Sequence, residues 1–242
     1  MTIGKYDAIQ IGENKWRIEE NFVRAFLFKG GERAMLVDST NGTGDLKAVA
    51  ESLVGGMPVM LVNTHADSDH IGCNAQFEHA YMHPAEFAYY ALKSKPGDAA
   101  PKPLQDGEVI DLGGKKFEVI LIPGHTSGSI ALLDREDRIL VSGDTIVGRV
   151  YAFGLVRNVA ALAASLERLA GCYWDAFDTV YPAHGNHETD KAFILKELAC
   201  AKAHLAGEIE GADPGRVVLE PPDYRAAALY SLDGAGILDF AR

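Results

Sequence analysis

Cysteine is scarce in this sequence: Cys73, Cys172 and Cys200 are the only three, widely spaced, and no pair forms a CxxC. That excludes a disulfide framework and a thiolate zinc site, and leaves three free thiols, of which only Cys73 lies near residues with metal-binding chemistry. Basic runs are also absent, and 23 Lys and Arg against 34 Asp and Glu give a formal net charge of -11. A nucleic-acid backbone or an anionic membrane surface is therefore repelled overall, although a local metal site still attracts an anion. No apolar stretch approaches the ~20 residues that span a bilayer, and Met1 to Asp7 lacks a charged segment followed by an apolar one. The expectation is a cytoplasmic protein acting on a small molecule, with neither nucleic acid nor membrane as partner.

What is present suits one enzyme domain. With 242 residues and 48% hydrophobic content the chain can bury a large core. Ala8 to Ile11, Trp16 to Ile18, Val23 to Phe28 and Ala34 to Val37 read as strands, the last two joined at Lys29-Gly30-Gly31-Glu32, a hairpin signal. Asp45 to Val54 spaces Leu46, Val49 and Leu53 as a helix does and stops at Gly55-Gly56. Val59 to Val62 is wholly apolar, as a strand buried on both faces is. Ala80 to Met82 follows as a strand and Pro84 to Leu92 as a helix opening on proline. Ser94 to Gly107, rich in Pro, Gly, Ala and Asp, reads as a mobile loop.

The second half repeats the rhythm, with strands at Val109 to Leu112, Lys116 to Ile122, Ile130 to Leu133, Arg138 to Val141 and Thr179 to Tyr181. Asn158 caps a helix with Val159, Leu162, Leu166 and Leu169 on one face, ended by Gly171, and Thr189 caps a longer one with Ile194, Leu198, Ala201 and Leu205 in register. Two mixed β-sheets packed face to face and flanked by helices, in a single domain over residues 1–242, would bury these strands.

Four of the apolar strands run straight into metal-ligand types. Val59 to Val62 leads to Thr64-His65-Ala66-Asp67-Ser68-Asp69-His70, Phe117 to Ile122 to Pro123-Gly124-His125, Arg138 to Val141 to Ser142-Gly143-Asp144, and Phe177 to Tyr181 to Pro182-Ala183-His184. Loops at the ends of rigid strands fix such groups while leaving their lone pairs accessible. His65 and Asp67, two apart, can close on one metal, while the adjacent Asp69 and His70 point to different sides and can serve a second. A polar loop of Asx-turns explains Ser68 and even Asp67. It does not explain His125, Asp144 and His184 recurring at three further strand ends, so the set points to two metals. His79, His83, His187 and His204 stand outside it, and helix-borne His204 reads as a surface or packing residue.

These motifs resemble the metallo-β-lactamase fold superfamily, which includes glyoxalase II-like thioester hydrolases, lactonases and flavodiiron proteins. Its pattern of His-x-His-x-Asp-His, Gly-His-Thr-x-Gly-Ser, Ser-Gly-Asp-Thr and Pro-x-His-Gly is matched in order, with one change, from His65 to Gly185. The resemblance implies an α/β fold, the four-layer αββα sandwich. It also implies that His65, Asp67 and His125 bind one metal, that Asp69, His70 and His184 bind the other, and that Asp144 bridges both. Asp38 and Thr64 resemble positions that brace the ligand loop, and Tyr151, Phe153 and Arg157 fall where relatives place a loop that contacts substrate.

The departure is Asp67, where hydrolases of the family usually have histidine. A carboxylate there adds a third negative ligand and favours iron or manganese over zinc, though zinc remains compatible; being short, Asp67 can either coordinate a metal or hydrogen-bond the loop. The implied activity is hydrolysis of an ester-like, thioester or lactone substrate by a hydroxide bridging two divalent metals, with Asp69 and Asp144 catalytic. The alternative is a diiron redox protein reducing oxygen or nitric oxide with a separate electron donor, since flavodiiron proteins carry an acidic residue at the matching position. The stretch from Thr189 to Arg242 is too short for the helical substrate domain of glyoxalase II.

Overall fold

A computed structural model describes residues 1–215 and 227–240; residues 216–226 and 241–242, within the tail that begins at Thr189, lie outside the described residues. The chain divides into two compact units, Met1–Ile120 and Leu121–Arg242.

In the first unit β1 (Thr2–Ile3), β2 (Tyr6–Gly12), β3 (Lys15–Glu20), β4 (Val23–Lys29) and β5 (Ala34–Val37) pair in sequence, each antiparallel to the last. The expected hairpin at Lys29 to Glu32 is the β4–β5 turn, where the Gly30 N–H donates to the Arg33 carbonyl at 3.0 Å. Helix α1 (Leu46–Leu53) is capped by Asp45, whose carboxylate accepts from the Ala48 N–H at 3.0 Å. It returns the chain to β6 (Val59–Val62), which lies parallel to β5. A parallel neighbour on each side makes β6 an interior strand, as its unbroken apolar run requires. Then come β7 (His79–Met82), a short 3₁₀ turn at Pro84–Glu86, helix α2 (Phe87–Lys93) and β8 (Ala100–Pro103). The eight strands form one mixed sheet in chain order.

Strand β8 corrects the expected loop. Ser94 to Gly107 contains an exposed edge strand parallel to β7, and its two prolines, Pro101 and Pro103, are tolerated because an edge strand need not donate hydrogen bonds on its outer side. The unit ends with the antiparallel pair β9 (Val109–Asp111) and β10 (Lys116–Leu121).

In the second unit β11 (Ile130–Asp134) pairs antiparallel with β12 (Ile139–Gly143). After β13 (Val150–Tyr151) comes helix α3 (Val159–Cys172), capped as expected by Asn158, with Val159, Leu162, Leu166 and Leu169 buried. Strand β14 (Thr179–Pro182) lies parallel to β12, and β15 (Thr189–Asp190) antiparallel to β14. Thr189 is thus a strand residue and not a cap. Helix α4 (Phe193–Ala206) starts later, with the Asp190 carboxylate accepting from the Ala192 N–H at 2.7 Å. Its buried face is also rotated from the expected one: Leu205 is 43% exposed, whereas Glu197, Cys200 and His204 are buried with Ile194 and Ala201.

That face packs against a hairpin unread in the sequence, β16 (Ala227–Leu232) and β17 (Ala235–Phe240), which forms a small three-stranded sheet with β13. The turn signal was Asp233-Gly234, both at positive φ, between two largely apolar runs. His204, expected at the surface or in packing, is fully buried there, with its Nε2 2.8 Å from Asp239 Oδ2 and its ring 3.9 Å from that of Tyr230.

Candidate metal centre

The ligand loop of the first unit follows β6 and is held by side chains from elsewhere in the chain. Asp38, at the end of β5, has φ of +63°, an uncommon conformation that aspartate tolerates better than most residues. Its buried carboxylate accepts from the Thr64 N–H at 2.7 Å and the Thr64 hydroxyl at 2.8 Å, and lies 2.9 Å from His70 Nδ1. Glu86, fully buried at the start of α2, accepts from the Ala66 N–H at 2.9 Å.

These contacts fix the histidine tautomers. Facing a carboxylate, His70 Nδ1 carries the proton. The Thr64 hydroxyl donates its only hydrogen to Asp38, so toward His65 Nδ1, 3.0 Å away, it accepts, and His65 Nδ1 is also protonated. As neutral imidazoles, both rings then direct the lone pair of Nε2 away from these partners. His65 Nε2 lies 3.6 Å from Asp67 Oδ2 and His70 Nε2 lies 3.8 Å from Asp69 Oδ1, with the two rings 4.0 Å apart. A nitrogen lone pair facing a carboxylate oxygen at this distance is repulsive unless a proton or a metal ion lies between them, and the donor set is of a kind that can hold a metal.

Asp67 has a partner that the sequence did not reveal. The Tyr89 hydroxyl, from α2, donates to Asp67 Oδ1 at 2.7 Å, and Lys93 Nζ lies 5.3 Å from the centre of the Tyr89 ring. One carboxylate oxygen is thereby held while the other faces His65.

The second unit supplies His125, Asp144 and His184, each at a strand end as expected. His125 is buried, and its Nδ1 lies 2.9 Å from the Tyr151 carbonyl, which can only accept, so Nδ1 carries a proton and the neutral ring leaves the Nε2 lone pair for a metal. That nitrogen is 3.8 Å from Asp144 Oδ2, and His184 Nε2 is 3.3 Å from the same oxygen. Gly124 sets the approach of the His125 loop to α3: its φ is +146°, and a Cβ there would stand 2.4 Å from Leu162 Cα. The loop is tied on both sides, by the Asn158 N–H to the Gly124 carbonyl at 2.8 Å and by the Ser165 hydroxyl to the Pro123 carbonyl at 2.7 Å.

Beyond Asp144, the Val147 N–H donates to Glu197 Oε1 at 2.9 Å. Glu197 was not singled out in the sequence. Complete burial holds its carboxyl well above the ordinary carboxylate range. Of the expected substrate contacts, Phe153 is buried, and Tyr151 and Arg157 are half-buried on the segment after β13. His187 is exposed. Among the described residues, no helix is long and apolar enough to cross a membrane.

Residues 18–193 match the metallo-beta-lactamase superfamily. The chain is 29% identical over 201 residues to the chicken (Gallus gallus) acyl-coenzyme A thioesterase MBLAC2, covering 66% of this chain and 73% of that protein. It is 31% identical over 186 residues to a hydroxyacylglutathione hydrolase of Dechloromonas aromatica, covering 74% and 66%. Among solved structures, a metallo-beta-lactamase from Pontibacter korlensis superposes with a TM-score of 0.69 at 19% identity, over 81% of this chain and 99% of that one. The fold is the expected α/β sandwich of that class, and clusters of His and Asp able to bind a metal are present. The chain belongs to the metallo-beta-lactamase superfamily and, with a thioesterase and a hydroxyacylglutathione hydrolase among its relatives, is a metal-dependent hydrolase.

Proposed function

We propose that this protein is a binuclear hydrolase of thioesters. The names of its relatives motivate the substrate class, since an acyl-coenzyme A and a hydroxyacylglutathione both carry an acyl group on a thiol. The observation that carries the metal-dependent chemistry is the protonation pattern: His65, His70 and His125 each have Nδ1 committed to an acceptor and Nε2 turned toward a carboxylate.

In this reading His65, Asp67 and His125 hold one divalent ion, Asp69, His70 and His184 the other, and Asp144 both. Three carboxylates favour iron or manganese, with zinc compatible. When bound, the pair supplies Lewis acidity and a hydroxide at neutral pH. Asp38 and Thr64 keep His65 and His70 in the binding tautomer. Asp69, a quarter exposed beside His70 Nε2, is placed to pass a proton to solvent. Tyr151, Phe153 and Arg157 contact the acyl part.

The test is metal analysis and turnover together. Protein loaded with manganese, iron or zinc is assayed on thioesters, lactones, β-lactams and phosphodiesters, alongside oxygen and nitric oxide consumption with an artificial electron donor. Thioester turnover that needs metal and is lost in Asp144→Asn is the expected result. Gas consumption without hydrolysis would replace this reading with the diiron redox one, and protein that takes up no metal would overturn both.

A further inference from the structure

The second unit contains a cavity of about 290 Å³ lined by the segment that follows Tyr151, whose carbonyl faces His125. Its walls include Ala152, Phe153, Val159, Ala160, Leu205 and Phe240. Two backbone ties join it to His125. The Tyr151 carbonyl that faces His125 Nδ1 leads directly into Ala152 and Phe153, and the Asn158 N–H that holds the Gly124 carbonyl belongs to another lining residue. The rings of Tyr151 and Phe153 lie 5.7 Å apart, as do those of Phe153 and Phe240, so an aromatic row runs from the His125 anchor into the cavity.

Arg157, Asn158 and Asp239 add polar groups to the walls, and of these Asp239 is already engaged, lying 2.8 Å from His204 Nε2 and accepting from the Phe240 N–H at 2.8 Å. Leu155, 80% exposed in the segment before Arg157, and Leu205, 43% exposed, add apolar surface in water. A concave space walled in part by aromatic side chains is what an apolar ligand fragment fills.

We propose that this cavity receives the apolar end of the acyl group, and so selects medium-length chains. The proposal rests on the hydrolase reading for the word acyl, but the cavity's preference for an apolar chain is testable without turnover. At roughly 30 Å³ per water-sized group, the space holds about ten heavy atoms. Affinity should then rise by up to about fourfold per methylene until it is filled, and level off beyond.

Calorimetric titration of the full-length, manganese-loaded protein with acetate, butyrate, hexanoate, octanoate and dodecanoate reads this directly. The expected result is a steep gain from butyrate to octanoate and little more at dodecanoate. Ala160→Trp, at an exposed lining position on α3, should flatten the series while leaving acetate unchanged; Ala164→Trp, exposed one turn further and outside the lining, should leave the whole series as in the parent. Affinity independent of chain length, or an unflattened series in Ala160→Trp, overturns the proposal. Thioester turnover without chain preference would remove the cavity's role while sparing the hydrolase reading. A chain-dependent titration without turnover would do the reverse.

Discussion

The two units offer the same kinds of candidate metal ligand but hold them by different means. In the first, four ligands fall within six consecutive residues, and their loop is held largely by side chains: Asp38 on Thr64 and His70, Glu86 on Ala66, Tyr89 on Asp67. In the second, three ligands are spread over sixty residues at separate strand ends, and the contacts are largely backbone: the Tyr151 carbonyl on His125, the Asn158 N–H on Gly124, the Gly143 carbonyl on the Ala183 N–H. A compact loop has too little regular structure to orient four side chains by itself, so distant carboxylates supply the order. Ligands at strand ends inherit it from the ladder. Substitution of supporting side chains should therefore damage the first unit more than the second.

The largest effect should come from a ligand itself. Asp144→Asn places an amide where His125 and His184 both direct Nε2, and turnover should fall on the order of a thousandfold or more, with metal content reduced. Removal of metal by a chelator should reproduce the loss in the parent and be reversed by added manganese or iron.

Next is the brace. Asp38→Asn keeps a residue that tolerates positive φ, so backbone strain is not the variable. The amide would turn a donor toward Thr64 or His70 and favour the wrong imidazole tautomer, lowering metal affinity about 10- to 100-fold. Competition with a chromophoric chelator measures it. An unchanged affinity would remove the contrast between the units.

The candidate ligands could be picked out in the sequence because four strand-end motifs recur in a fixed order. The brace at Asp38 was legible only through the family resemblance. Tyr89 and Glu86 were not, because each meets the loop from about twenty residues away and nothing local in α2 marks it. Pro101 and Pro103 disguised an edge strand as a loop, and the two-residue β15 was too short to announce itself before α4. The face of α4 was misassigned because hydrophobic spacing favoured Leu205, whereas Glu197 and His204 are buried through the partners they meet, Val147 and Asp239.

Glu197 gives the second unit its exception, a side chain that braces the segment after Asp144. Its folded-state pKa is raised well above 4.5, so the folded protein holds a proton there that the unfolded chain releases. The associated stability is present below about pH 4.5 and is lost as pH rises toward the raised value. Glu197→Gln should remove that loss, stabilising the protein at neutral pH by about 1–3 kcal/mol, with little difference at pH 4.5. Urea midpoints at the two pH values test the sign; a variant less stable at neutral pH would mean that the charge is needed.

Tyr89→Phe should act more weakly, changing metal affinity by less than about tenfold, because Asp67 keeps the oxygen that faces His65. The informative readout is selectivity. With Oδ1 released, the carboxylate can rotate, and the ratio of manganese to zinc bound from an equimolar mixture should shift. The tyrosine also explains why Asp67→His alone should bind zinc less well than the double substitution with Tyr89→Phe: an imidazole in place of Asp67 would leave the buried hydroxyl without its acceptor.

The smallest effect is expected at Tyr151, and it tests the backbone half of the comparison. Here the group that holds His125 is the residue's carbonyl, so Tyr151→Phe preserves the 2.9 Å contact, the imidazole tautomer and the stack on Phe153. Turnover and metal affinity should stay within about threefold of the parent. Ala152→Pro should behave very differently, because the Ala152 N–H donates to the Leu238 carbonyl of β17 at 2.8 Å and the proline ring removes that donor. That change should displace the Tyr151 carbonyl and cost His125 its orientation, lowering metal affinity while the first unit's ligands are untouched. A large loss in Tyr151→Phe, measured beside unchanged metal content, would instead make the phenol a participant in the reaction, and the second unit would then rely on a side chain as the first unit does.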